Sequence, residues 1–179
     1  MGAVHENIDS GLAAWIAAQA MFFVSTAPLA GDGHVNCSPK GMDCLRVLDA
    51  KRVAWLDLTG SGVETIAHLR ENGRITLMWC AFVGPPQIVR VQGRGVVHRP
   101  GEPGYADLAI HLPSIPGTRS IIEVIADRIS SSCGYAVPFY DFVGHRSTLV
   151  DWAAKKGDDG VAAYQQQKNA LSIDGLPGI

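Results

Sequence analysis

What this chain has little of narrows its class first. Across 179 residues there is no excess of positive charge: 15 Lys and Arg stand against 17 Asp and Glu, a formal net charge of −2. A surface that neutralises nucleic-acid phosphates carries a basic excess, so a nucleic-acid binder is not expected. Long hydrophobic runs are missing as well. The most apolar opening stretch, "IDSGLAAWIAAQAMFFVSTAPL", follows no basic leader, is interrupted by Asp9 and Gln19, and falls short of the roughly 20 apolar residues that a membrane span needs. A cytoplasmic protein is the expectation. Cysteine is sparse: Cys37, Cys44, Cys80 and Cys133 form no Cys-x-x-Cys pair and have no histidine at zinc-finger spacing. Neither a metal site nor a disulfide framework is expected from them, and buried free thiols are.

What is there suits one folded domain, since 47% of the residues are hydrophobic. Leu12, Trp15, Ile16 and Ala20 recur at helical spacing behind Asp9 and Ser10, which predicts a capped helix over about Ser10 to Gln19. Six segments then read as strands: "MFFVST", "HVNCS", "RVAWLDL", "RITLMWCAF", "QIVRVQGRGVVHR" and "SIIEVIADRISSSC". Gly93 and Gly95 mark where the fifth would bend or bulge. A short helix carrying Tyr105, Leu108, Ala109 and Leu112 separates the last two strands, and "STLVDWAAKKG" with "DGVAAYQQQKNALSI" predicts a helical extension from about residue 145. Strands without regular strand-helix alternation exclude a doubly wound sheet. A small, mostly antiparallel barrel with peripheral helices closes the edges such strands expose.

The chemistry turns on "WLDLTGSGVETIAHLREN", a strand running through a glycine-rich bend into a helix. Gly60 and Gly62 allow a tight turn, and Thr59, Ser61 and Thr65 add hydroxyls beside the free amides of a helix start, an anion site in outline. It is neither a Walker loop nor a dinucleotide fingerprint. Ser61 and Glu64 offer an alternative, a capping box that satisfies the helix terminus by itself. A cation would decide between the two. "NCSPKG" supplies Lys40, and pairing its strand with "RVAWLDL" would bring the ammonium to the bend; Arg70 and Arg46 are further candidates. His68, one turn beyond Glu64, is the histidine nearest the bend in sequence, with core packing as its simpler role. Trp55 and Trp79 read as core, whereas Trp152, Tyr135, Phe139 and Tyr140 stand where they would stack on a ring or pack a core or dimer interface.

With these segments in order, "FFVSTAPLAGDGHVNCSPKG", "VAWLDLTGSGVETIAHLRENGRITLMW" and "PPQIVRVQGRGVV" together resemble the pyridoxamine 5′-phosphate oxidase-like family of flavin-binding split barrels. The resemblance implies a six-stranded antiparallel split barrel and a homodimer with two flavin sites at its interface. It sets Asn36, Cys37, Ser38, Pro39 and Lys40 along the flavin and its ribityl chain, and Leu58, Thr59, Gly60, Ser61 and Gly62 at the phosphate of FMN. Glu64 and Thr65 take positions where the true oxidases carry basic phosphate ligands, and Gln92 sits on the long strand that contributes to the flavin pocket. The oxidases' basic tail is absent, so vitamin B6 oxidation itself is not implied. The expected activity is flavin-mediated hydride or electron transfer to or from a small organic substrate, for which "SPKG" and "CGYAVPFY" are the candidate contacts. Relatives with this barrel also use a deazaflavin coenzyme, which is the alternative cofactor, and a flavin-binding sensor dimer without turnover is the alternative of another class.

Overall fold

The computed structural model describes residues 2–179. The six predicted strands are present as β2 (Met21–Thr26), β3 (Asn36–Gly41), β5 (Arg52–Leu58), β6 (Arg74–Cys80), β7 (Ile88–His98) and β8 (Thr118–Ser132). Two three-residue strands, β1 (Ala3–His5) and β4 (Leu45–Val47), add to them, too short for alternation to reveal. Every pairing is antiparallel, and the sheet runs β3-β2-β6-β7-β8-β5-β4, with β1 against β8. This is a curled sheet, a split barrel with peripheral helices.

Among the described residues four helices decorate it: α1 (Ser10–Ala17), α2 (Glu64–Asn72), α3 (Tyr105–Ala109) and α4 (Thr148–Lys168). Asp9 caps α1 as expected, its carboxylate accepting from the Leu12 amide at 2.7 Å. Helix α4 is two helices joined at Gly157, whose φ of 69° a glycine adopts at little cost. The bend predicted on β7 falls at a register shift between Gln92 and Gly93, where β8 carries the extra residue, Asp127, and a Cβ at Gly93 would lie 2.0 Å from the Ile125 carbonyl oxygen. The strand can cross β8 there only without a side chain.

The core fills the inside of the curl. Trp55 and Trp79 are fully buried, as expected, and Phe22 packs edge-on to the first at 5.8 Å and stacks on the second at 5.8 Å. All four cysteines are free, but only Cys44 and Cys80 are buried; Cys37 and Cys133 are exposed, a correction to the expected burial. Burial pushes the Cys44 thiol up to about 11, which leaves it inert as a nucleophile.

Candidate functional site in the barrel seam

The expected pairing of β3 with β5 does not occur: β3 ends the sheet on one side, and β5 lies near its other end. Curling nevertheless brings them together across the open seam, where Lys40 Nζ stands 3.4 Å from Asp57 Oδ1. Lys40 is the last side chain before Gly41 in β3, so the strand fixes its position. Strand alternation makes Asn36, Ser38 and Lys40 less exposed than Cys37 and Pro39.

A cavity of about 290 Å³ occupies this seam. Asn36, Ser38, Pro39, Lys40, Leu58, Gly60, Gly62, Glu64, Thr65 and Arg119 line it, so the two sequence segments meet as anticipated. Cys37 is on the opposite face of β3, Ser61 is exposed, and Thr59 is buried behind the bend with its hydroxyl on the Gly117 carbonyl at 2.8 Å. Gln92 lies elsewhere, in a depression of about 350 Å³ with Thr26, Arg74 and Thr76.

The capping box is not formed. Val63, not Ser61, is the residue before the helix, no side chain caps α2, and Glu64 opens its first turn. The Glu64 carboxylate instead accepts from the Ile173 amide at 3.2 Å. The first amides of α2 are therefore left without a side-chain acceptor, the condition under which a helix start attracts an anion. Asn36 Nδ2 donates to Thr65 Oγ1 at 3.1 Å and Thr26 Oγ1 at 3.3 Å, and Ser38 Oγ donates to Asn36 Oδ1 at 3.0 Å, which ties the polar wall together. His68 stands behind this wall, fully buried, with Nδ1 3.0 Å from Thr26 Oγ1, and burial pushes its imidazole below the ordinary range. It is a core residue.

Sequence reasoning missed the centre of the charge network. Asp57 has no exposed surface and receives Arg119 through Nε at 2.9 Å and Nη2 at 2.8 Å, while Arg119 Nη1 donates to the Gly62 carbonyl at 2.9 Å. The β5–β8 ladder pairs Asp57 with Ser120 and Leu58 with Thr118, so Arg119 is the bulged residue whose side chain is re-aimed into the seam. The signal was available: "WLDL" puts one carboxylate inside an apolar strand, and a buried carboxylate requires a cation. Arg70 and Arg46, the further candidates for a cation at the bend, do not line the cavity: Arg70 donates to the Gly178 carbonyl and Arg46 pairs with Asp43.

A second cavity, of about 900 Å³, adjoins the first through Pro39 and Lys40. Met21, Phe23, Phe82, Tyr140 and Phe142 give it a largely apolar wall, and Phe82 packs on Tyr140 at 5.4 Å. Of the two stretches singled out as substrate contacts, "SPKG" lines this space through Pro39, Lys40 and Gly41, and "CGYAVPFY" only through Tyr140.

The sequence model described as pyridoxamine 5′-phosphate oxidase matches residues 8–133. The chain belongs to that family. It is 36% identical over 194 aligned residues to the pyridoxamine 5′-phosphate oxidase family protein ustO of Aspergillus flavus, an alignment that covers 98% of this chain and 77% of the relative. Among solved structures, a putative pyridoxamine 5′-phosphate oxidase from Lactobacillus delbrueckii superposes with a TM-score of 0.52 at 16% identity, covering 70% of this chain and 94% of that one. A FAD-binding protein from Mesorhizobium loti gives 0.50 at 13%, covering 73% and 96%. These likenesses show the fold. Residues beyond 133, including Tyr140, lie outside the match to the pyridoxamine 5′-phosphate oxidase family model, so the aromatic cavity is walled partly by a segment that the match does not cover.

The seam fits the phosphate end of a flavin nucleotide. One partly exposed ammonium, hydroxyls at Ser38 and Thr65, uncapped helix amides and a glycine at position 60 with no atom within 4 Å of a would-be Cβ make a donor set suited to a single anion. Glu64 is the one unfavourable charge in its lining.

Proposed function

We propose that the protein is a homodimeric FMN-binding oxidoreductase of the cytoplasm that acts on a small organic substrate. One observation carries the reading: Lys40 and the uncapped start of α2 line the same seam cavity in a chain of the pyridoxamine 5′-phosphate oxidase family. Bound FMN would supply hydride or electron transfer, which accounts for a site without an acid-base constellation. The chain's own work is to bind and orient. Lys40 neutralises the phosphate, the α2 amides and the Thr65 hydroxyl donate to it, and the Asn36–Ser38 wall follows the ribityl chain. Asp57 and Arg119 hold this arrangement from beneath, Arg119 by gripping the Gly62 carbonyl. The apolar cavity beyond Lys40 supports a substrate with an apolar or aromatic body, excluding water from its side of the seam.

The dimer is supported by what one chain leaves uncovered. Tyr135, Phe139, Tyr140, Phe142 and Val143 are 80%, 79%, 62%, 59% and 99% exposed within a single short segment, more apolar surface than a monomer usually presents in one place. A second copy would cover it, and would give Gln92 a route to a flavin from across the interface.

The test is the visible absorption spectrum of the purified protein after FMN is added and the excess removed. A retained flavin spectrum in a dimeric species is expected, followed by bleaching with a reduced nicotinamide. Failure to retain FMN would overturn the reading in favour of the deazaflavin coenzyme, and retention without any reducible turnover would leave a binding or sensor dimer.

A further inference from the structure

Behind the glycine bend, on the side away from the cavity, lies a residue that the family match does not reach. Asn169 follows α4, is fully buried, and donates from Nδ2 to two consecutive carbonyls of the bend, Gly60 at 3.0 Å and Ser61 at 3.3 Å. Carbonyl oxygens only accept, so the amide orientation follows from the chemistry. Its own carbonyl oxygen, Oδ1, is buried without a partner, a cost accepted to keep the donor aimed at the bend. Asn169 is itself locked in place: its main-chain oxygen accepts from the Ile179 amide at 3.1 Å, and Gly178 passes so close that a Cβ there would lie 2.2 Å from that oxygen and 2.6 Å from Val63.

In a planar trans peptide the C=O and N–H point in opposite directions. Pulling the Gly60 and Ser61 carbonyls toward Asn169 therefore turns the N–H groups of Ser61 and Gly62 the other way. Gly60 and Gly62 line the cavity and Asn169 does not, so that other way is the cavity side. We propose that Asn169 is a positioning residue that orients the Ser61 and Gly62 amides as donors to an anionic phosphate in the seam. The inference rests on the FMN reading and sharpens it: selectivity for a phosphorylated flavin is set from the C-terminal segment.

The experiment compares FMN with riboflavin, which lacks the phosphate, by flavin-fluorescence titration of the full chain. For Asn169→Ala the expectation is about a tenfold weaker FMN affinity with riboflavin affinity unchanged, and Asn169→Asp, which turns an acceptor toward the two carbonyls, should lose more. A general packing defect would weaken both flavins alike, and that outcome, or an unchanged FMN-to-riboflavin ratio, overturns the role. If the variants fail to fold, the wild-type protein decides: on titration with inorganic phosphate, the amide resonances of Ser61 and Gly62 should shift among the most, and their silence while Lys40 responds would refute the proposal. A wild-type protein that binds FMN no better than riboflavin, with no phosphate response at all, would sink the phosphate reading itself and this inference with it.

Discussion

Two cavities share the wall made by Pro39 and Lys40, and their linings are opposites. The inner one, about 290 Å³, is polar and anchored on buried ions; the outer one, about 900 Å³, is aromatic and opens toward uncovered surface. The hairpin β2–β3 stands between them: Asn36 and Ser38 of β3 line the inner cavity, while Met21 and Phe23, the less buried face of β2, line the outer one. The comparison teaches a division of labour in which one thin ribbon separates an anion grip from an apolar chamber. Lys40 is the charge at their junction.

The ion network beneath the inner cavity gives the largest expected effect. Arg119→Ala would leave the fully buried Asp57 carboxylate with Lys40 and the Ser120 hydroxyl, each at 3.4 Å, and breaking a buried pair in this way costs about 3 kcal/mol or more. Urea unfolding measures it. Arg119→Lys is expected to recover only part, since an ammonium cannot hold Asp57 and the Gly62 carbonyl in the same fork. A loss below about 1 kcal/mol would show that the seam tolerates the bare carboxylate and that the network is not its foundation.

Next in size, Lys40→Ala should weaken FMN binding about tenfold or more, the scale of a charge-assisted hydrogen bond, and leave the fold standing because Arg119 still satisfies Asp57. Titration by flavin fluorescence reads it, and unchanged affinity would remove Lys40 from the grip. A smaller change of opposite sign is expected for Glu64→Gln. It takes away the acidic charge lining the inner cavity while keeping an oxygen for the Ile173 amide, so FMN should bind a few-fold tighter, about 0.3–1 kcal/mol. Weaker binding would mean that the carboxylate supports the bend more than it repels the ligand.

How far these features could be read in advance follows from how local each is. The long strands, the α1 cap and the bend at Gly93 were legible because alternation, an Asx cap and a glycine in a strand are contiguous signals. So were the two segments that meet in the seam. Their route to meeting was not: the sequence suggested β3 beside β5, whereas they sit toward opposite ends of the sheet and approach only through its curl, which no local pattern encodes. Arg119 was hidden because a bulge re-aims it, and Asn169 because its partners lie 108 and 109 residues away in the chain. The capping box failed for a related reason, since Glu64 found its acceptor role in the distant Ile173 amide.

The smallest expected effect separates the two cavities by pH. The C-terminal segment that carries Asn169 is also tied to the loop before β3: Asp174 accepts from the His34 ring at 2.6 Å and from the His34 amide at 2.8 Å. Hydrogen bonding and charge from Asp174 raise the His34 pKa above its ordinary value, and the same contact lowers that of Asp174. The sign follows by linkage. His34 contributes fully below its unfolded value of about 6.5 and loses that contribution as pH rises through its raised folded value; Asp174 contributes above about 3.9 and loses it on acidification through its lowered one. The tie is therefore strongest between about pH 4 and 6.5 and fades above. His34 is largely exposed and Asp174 only half-buried, so only a modest change follows. Proton NMR of His34 should show an elevated titration midpoint that returns to the ordinary range in Asp174→Asn. If the tie steadies the bend through Asn169, FMN affinity should drop slightly as His34 deprotonates, while an apolar ligand of the outer cavity should bind equally well across the same range. A parallel decline of both would mean that the C-terminal segment supports the barrel as a whole and not its anion grip.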